Sequence, residues 1–130
     1  MTSIIIDTNA YSHLLKGNKA VQKVLEQTNL IYLSPIVIGE LKTGFKLGSK
    51  TKFNQQLLDD FINQPTVQTL DIDSATSEVY SNIFVNLKKA GTPIPLNDVW
   101  IAAQALQTKS SLLTYDQHFS NIPSLKVISP

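Results

Sequence analysis

The chain has 130 residues, 42% of them hydrophobic, the size of one compact domain that buries roughly two thirds of its unfolded surface on folding. It contains no cysteine, which excludes thiol catalysis, disulfides and Cys-based zinc sites, fits a reducing cytoplasm, and leaves oxygen and histidine as the metal donors. Its net charge is +1 and all eleven cations are lysines, so it has neither the basic balance of a general polyanion binder nor the arginine fork that reads guanine in duplex DNA.

The first apolar run, Ile4-Ile5-Ile6, is β-branched throughout and ends at Asp7, the pattern of a buried central strand. It is too short for a secretory core or a membrane span, so no membrane association is expected. Ala10 to Lys16 reads as a short helix stopped by Gly17, and Asn18 as the cap of a second helix with Val21, Val24 and Leu25 on one face. A strand follows at Leu30 to Leu33. Ser34-Pro35 then combines an N-cap with a first-turn proline, and the helix it opens should run towards Gly48.

Phe53, Leu57, Leu58, Phe61 and Ile62 recur at helical spacing before Pro65. A strand at Val67 to Leu70 leads to Asp73, a predicted N-cap. Beyond it Ala75, Val79, Tyr80, Ile83, Phe84 and Leu87 form an apolar stripe ending at Gly91. A stiff Gly-Thr-Pro-Ile-Pro loop precedes a helix over Asn97 to Gln107, and Leu112 to Thr114 and Leu125 to Ile128 close the chain as strands. Strands alternating with helices predict a parallel sheet covered on both faces. No repeat or linker divides residues 1–130, so one domain is expected.

In open parallel sheets the functional crevice lies beyond the carboxyl ends of the strands, and four acids fall there. Asp7 follows the first strand, Asp116 follows the Leu112-Leu113-Thr114 strand, Asp98 opens the alanine-rich helix, and Glu40 lies in the second turn after Ser34-Pro35. Each also has an ordinary explanation: an Asx-turn for Asp7 and Asp116, a helix-dipole interaction for Asp98, a solvated face for Glu40. Asp98 and Glu40 nevertheless share otherwise apolar helix faces. Asp59, Asp60 and Glu26 fit polar faces. Asp71 ends a strand too, but nothing ties it to the other four.

Carboxylates brought together repel unless a cation neutralises them. Hard oxygen donors indicate magnesium or manganese, ions that polarise phosphoryl oxygens, so the expected chemistry is phosphodiester hydrolysis.

Four ordered segments then carry a resemblance. Ile-Ile-Ile-Asp7-Thr8-Asn9, Ser34-Pro35-Ile-Val-Ile-Gly39-Glu40-Leu41, Pro95-Leu-Asn97-Asp98-Val-Trp-Ile-Ala-Ala-Gln-Ala and Leu-Leu-Thr114-Tyr-Asp116-Gln-His-Phe119 resemble the four motifs of PIN-domain nucleases, specifically VapC-type toxins. The resemblance covers essentially the whole chain. It implies a three-layer α/β/α sandwich with a mainly parallel central sheet and a divalent metal, Mg2+ or Mn2+, held by Asp7, Glu40, Asp98 and Asp116. It further implies cleavage of single-stranded or looped RNA, a cognate antitoxin and a homodimer. Thr8, Asn9 and Thr114 would support the ligands, and the fourth motif varies most across the family.

Lys42 and Lys46, on the helix that presents Glu40, are candidate holders of RNA phosphates, against the plainer reading of a solvated face. His13 and His118 suggest acid-base work but are read first as surface or packing residues, and Trp100, which could stack a base, is read first as a core or dimer anchor. A haloacid-dehalogenase-type phosphatase would need a second aspartate at position 9, which is Asn9. A receiver domain would need an early acidic pair, which is absent. An inactive PIN-like binding module remains the non-enzymatic alternative.

Overall fold

The computed structural model describes residues 2–130. Its centre is β1 (Ser3–Ile6), where Ile4, Ile5 and Ile6 are at most 1% exposed, as an uninterrupted β-branched run demands. Chain order continues through α1 (Thr8–Leu15), α2 (Lys19–Glu26), β2 (Leu30–Leu33), α3 (Pro35–Leu47), α4 (Thr51–Ile62) and β3 (Val67–Thr69). It is completed by α5 (Ser74–Ala90), α6 (Leu96–Gln107), β4 (Ser111–Leu113), a 3₁₀ turn over Gln117–Asn121 and β5 (Val127–Ile128).

The five strands lie in the order β3-β2-β1-β4-β5 and every pairing is parallel. Ile5 stands opposite Tyr32 on one side and Leu112 on the other. The six helices flank this sheet, giving the expected three-layer α/β/α arrangement. No helix of the described residues is long and apolar enough to cross a membrane.

Local signals set the helix starts. Asn18, Ser34 and Asp73 each cap a helix through the side chain, onto Val21, Ile36 and Thr76 respectively, satisfying backbone N–H groups that have no intrahelical partner. Asp73 and Thr76 form a reciprocal capping box. Gly91 closes α5 at φ 73°, a left-handed conformation that costs glycine little.

Several boundaries differ from the sequence reading by one or two residues: β3 ends at Thr69 rather than Leu70, α6 begins at Leu96 rather than Asn97, and β4 spans Ser111–Leu113 rather than Leu112 to Thr114. Helix α1 begins at Thr8 rather than Ala10, because Asp7 is its N-cap. Strand β5 pairs only at Val127 and Ile128, not from Leu125, because β4 offers it a three-residue edge. The 3₁₀ turn between them has no hydrophobic period and was not anticipated.

Candidate active site

Strand order reverses at β1: the chain moves to β2 and β3 on one side and returns to β4 and β5 on the other. Such a switch point leaves a crevice at the carboxyl ends of the two central strands. A cleft of roughly 410 Å³ lies there, lined by all four acids, Asp7, Glu40, Asp98 and Asp116, with Thr8, Asn9 and Asn97 between them.

Asp7 is fixed at both oxygens. Its Oδ1 accepts from the Ala10 backbone N–H at 2.8 Å, and its Oδ2 accepts from the Thr114 hydroxyl. The side chain is 3% exposed. Thr114 Oγ1 also accepts the Asp116 backbone N–H at 2.9 Å, so one hydroxyl ties the exit of β1 to the exit of β4. Across the cleft Thr8 Oγ1 donates to Glu40 Oε1 at 2.6 Å, and Asn97 Nδ2 reaches Glu40 Oε2 at 3.4 Å. Asn9 Nδ2 lies 3.4 Å from Asp116 Oδ2. Asp98, in the first turn of α6, pairs with His118 Nε2 at 2.8 Å.

The electrostatics are those of crowded negative charge. Burial pushes the Asp7 carboxyl above its ordinary value; hydrogen bonds from Thr114 and Ala10 oppose the rise, and the charges of Asp116 and Asp98 add to it. Burial also raises Asp98, opposed by His118 and reinforced by Asp116 and Glu40. Among the described residues no lysine forms an ion pair with any of the four. Four carboxylates that, among the described residues, have only His118 on Asp98 as a cationic partner fit a hard divalent cation.

Several candidates fall elsewhere. Lys42 and Lys46 are exposed on α3 but do not line the cleft. At about 100° per residue they leave the helix roughly 160° and 120° away from Glu40. Trp100 is half-buried and stacks on Tyr80 at 4.1 Å, outside the cleft. His13 lies against Tyr115, with ring centroids 4.4 Å apart. Asp71 is exposed beyond β3, away from the cleft.

His118 is the correction in the other direction. Read from sequence as a surface or packing residue, it meets the site through Asp98, and a ring nitrogen of it lies with one oxygen each of Asp98 and Asp116 in a group whose donor atoms are all within 4.8 Å. Its position two residues after Asp116 was the available signal. Only the tertiary approach of α6 makes that position meaningful. Asn97, quoted within the third motif but given no role, is the other addition.

The family model of the PIN domain matches residues 4–125, and the chain belongs to the PIN-domain family. Within it, the likeness is to VapC ribonucleases. Ribonuclease VapC4 of Mycobacterium tuberculosis is 30% identical over 97 residues, 75% of either chain. Ribonuclease VapC2 of Rickettsia felis is 30% identical over 104 residues, 79% of this chain and 76% of the relative. Among solved structures, VapBC2 from Rickettsia felis bound to a DNA fragment from its promoter matches with a TM-score of 0.89 at 27% identity, covering 98% of both chains. VapBC-1 from nontypeable Haemophilus influenzae matches at 0.86 and 25%, also over 98% of both.

Proposed function

We propose that this chain acts as a single PIN domain: a metal-dependent endoribonuclease that hydrolyses phosphodiester bonds in RNA, and the toxin of a VapBC-type toxin–antitoxin pair. The observation that carries the reading is the convergence of Asp7, Glu40, Asp98 and Asp116 on one cleft, with no lysine paired to them among the described residues.

Asp7, Asp98, Asp116 and Glu40 would hold the cation, Mg2+ or Mn2+. When bound it supplies Lewis-acid polarisation of the phosphoryl oxygen and neutralises charge developing in the transition state. The side chains around it do the positioning. Thr114 and the Ala10 N–H hold the Asp7 carboxylate in one orientation, and Thr8 holds one oxygen of Glu40. Glu40 Oε2, engaged only by the long 3.4 Å contact from Asn97, accepts the proton of the attacking water. Asn9 and Asn97 bring amide N–H groups to the cleft wall, where they can meet phosphate oxygens without adding charge.

The partner is a cognate antitoxin, in keeping with the VapBC structures this fold matches. A homodimer is supported by the exposed Phe84, which stacks on Tyr80 beside Trp100. A cytoplasmic location follows from the reading as a toxin that meets RNA. Purified protein incubated with a looped RNA should cut it in Mg2+ or Mn2+, stop in EDTA and resume when the ion is restored. Cleavage that continues unchanged in EDTA removes the metal from the account.

A further inference from the structure

We propose that His118 is a metal ligand, acting with Asp98 and Asp116 of the cleft, and that its imidazole makes the site bind Mn2+ more tightly than Mg2+. The inference rests on the metal-nuclease reading and goes beyond its all-carboxylate donor set.

Three observations carry it. First, His118 Nε2 and Asp98 Oδ2 are 2.8 Å apart. Neighbouring donors in an octahedral shell with bonds of about 2.1 Å stand roughly 3 Å apart, so one ion can take both atoms without either residue moving far. With an ion bound, Nε2 and Oδ2 would serve as its donors in place of their shared hydrogen bond, and Nδ1 would carry the imidazole proton. Second, an Asp116 oxygen completes the group within 4.8 Å, and Asp116 is itself anchored by its backbone N–H to Thr114. Third, His118 is held in place. It sits in the Gln117–Asn121 turn beside Phe119, which is fully buried, with ring centroids 4.8 Å apart. The His118 and Asp98 side chains are only 33% and 18% exposed.

Donor chemistry sets the consequence. Carboxylate and water ligands suit Mg2+, whereas imidazole favours transition ions over it. A nitrogen donor therefore adds to Mn2+ binding and little to Mg2+ binding. The chain has one other histidine, His13, which is engaged with Tyr115 and Asn18 and is not among the donors grouped with Asp98 and Asp116. It serves as the internal control.

The test is pulsed electron paramagnetic resonance of Mn2+ bound to the full-length protein without RNA, with calorimetric titration of Mn2+ and Mg2+ alongside. The expected result is imidazole-nitrogen coupling on bound Mn2+ in the wild type and in His13→Gln. His118→Gln should lose that coupling and weaken Mn2+ binding at least tenfold, with Mg2+ binding changed less than about threefold. Bound Mn2+ without nitrogen coupling in the wild type overturns the ligand role and leaves the nuclease reading standing, with His118 only orienting Asp98. Equal losses for both ions overturn the selectivity. No binding of either ion sinks both readings. The wild-type and His13→Gln spectra decide the question even if His118→Gln fails to fold.

Discussion

Asp7 meets opposed demands with one carboxylate. It caps α1 and accepts from Thr114, both of which favour its charged form, yet it is almost wholly buried beside other acids, which disfavours it more. The net effect is a folded-state pKa above the ordinary 3.8, and Asp98 shares that direction. The folded chain therefore keeps protons that the unfolded chain has released. These two groups contribute most to metal-free stability below about pH 3.8, and the contribution is lost as pH rises through their raised values. Asp73 runs the other way: its capping hydrogen bonds lower it, so its contribution is present above 3.8 and is lost as pH falls through the lowered value. Asp7→Asn keeps an oxygen to cap α1 and removes the crowded charge. In chelator it should melt at or above the wild-type temperature, with a margin that widens as pH rises from about 4 towards 7; thermal melts across that range check it. A margin that shrinks with pH would mean that Asp7 is not held above its ordinary value.

At the scale of elements, much was legible because the signals are local. The Ile4-Ile5-Ile6 run announced a buried strand, and Asn18, Ser34-Pro35 and Asp73 announced helix starts by capping chemistry that operates over three residues. Ser34 is fully buried and its Oγ accepts the Ile36 N–H at 3.1 Å. Ser34→Ala should therefore cost about 1 kcal/mol in chemical denaturation, loosening the helix that presents Glu40. No change in stability would show that Pro35 alone sets the start of α3. The four cleft acids were legible for a related reason: Asp7 and Asp116 follow strands, Asp98 and Glu40 lie in the first and second turns of helices, and strand ends converge. What was not legible needed tertiary placement. Lys42 and Lys46 looked close to Glu40 in sequence, but two and six residues along a helix carry them round its axis and away from the cleft. His118 looked unremarkable until α6 brought Asp98 to within 2.8 Å of it. The 3₁₀ turn that carries it is held by Phe119 and Ile122, buried singly and without a period.

For the whole molecule, topology explains why a chain of net charge +1 can hold a concentrated negative site. The strand order places the reversal beside β1, so the residues following β1 and β4 meet, while α3 and α6 deliver Glu40 and Asp98 from either side of the cleft. Parallel connections make the convergence obligatory once the order is set. That order is not written in any local segment, since it depends on which strand edges pair. The charge concentrated there disfavours the metal-free fold and makes it receptive to a cation, whose binding at 100 times its dissociation constant adds about 2.7 kcal/mol. The central claim is that this carboxylate cluster, and not some other feature of the PIN fold, cuts RNA. Its most direct measurement is the cleavage rate of a looped RNA by Asp7→Asn in saturating Mn2+, taken on protein shown by its melt to be folded. The account predicts a loss of at least about a hundredfold, or some 2.7 kcal/mol of transition-state stabilisation, together with loss of the metal-induced rise in melting temperature. A folded Asp7→Asn protein that cuts at the wild-type rate would contradict it.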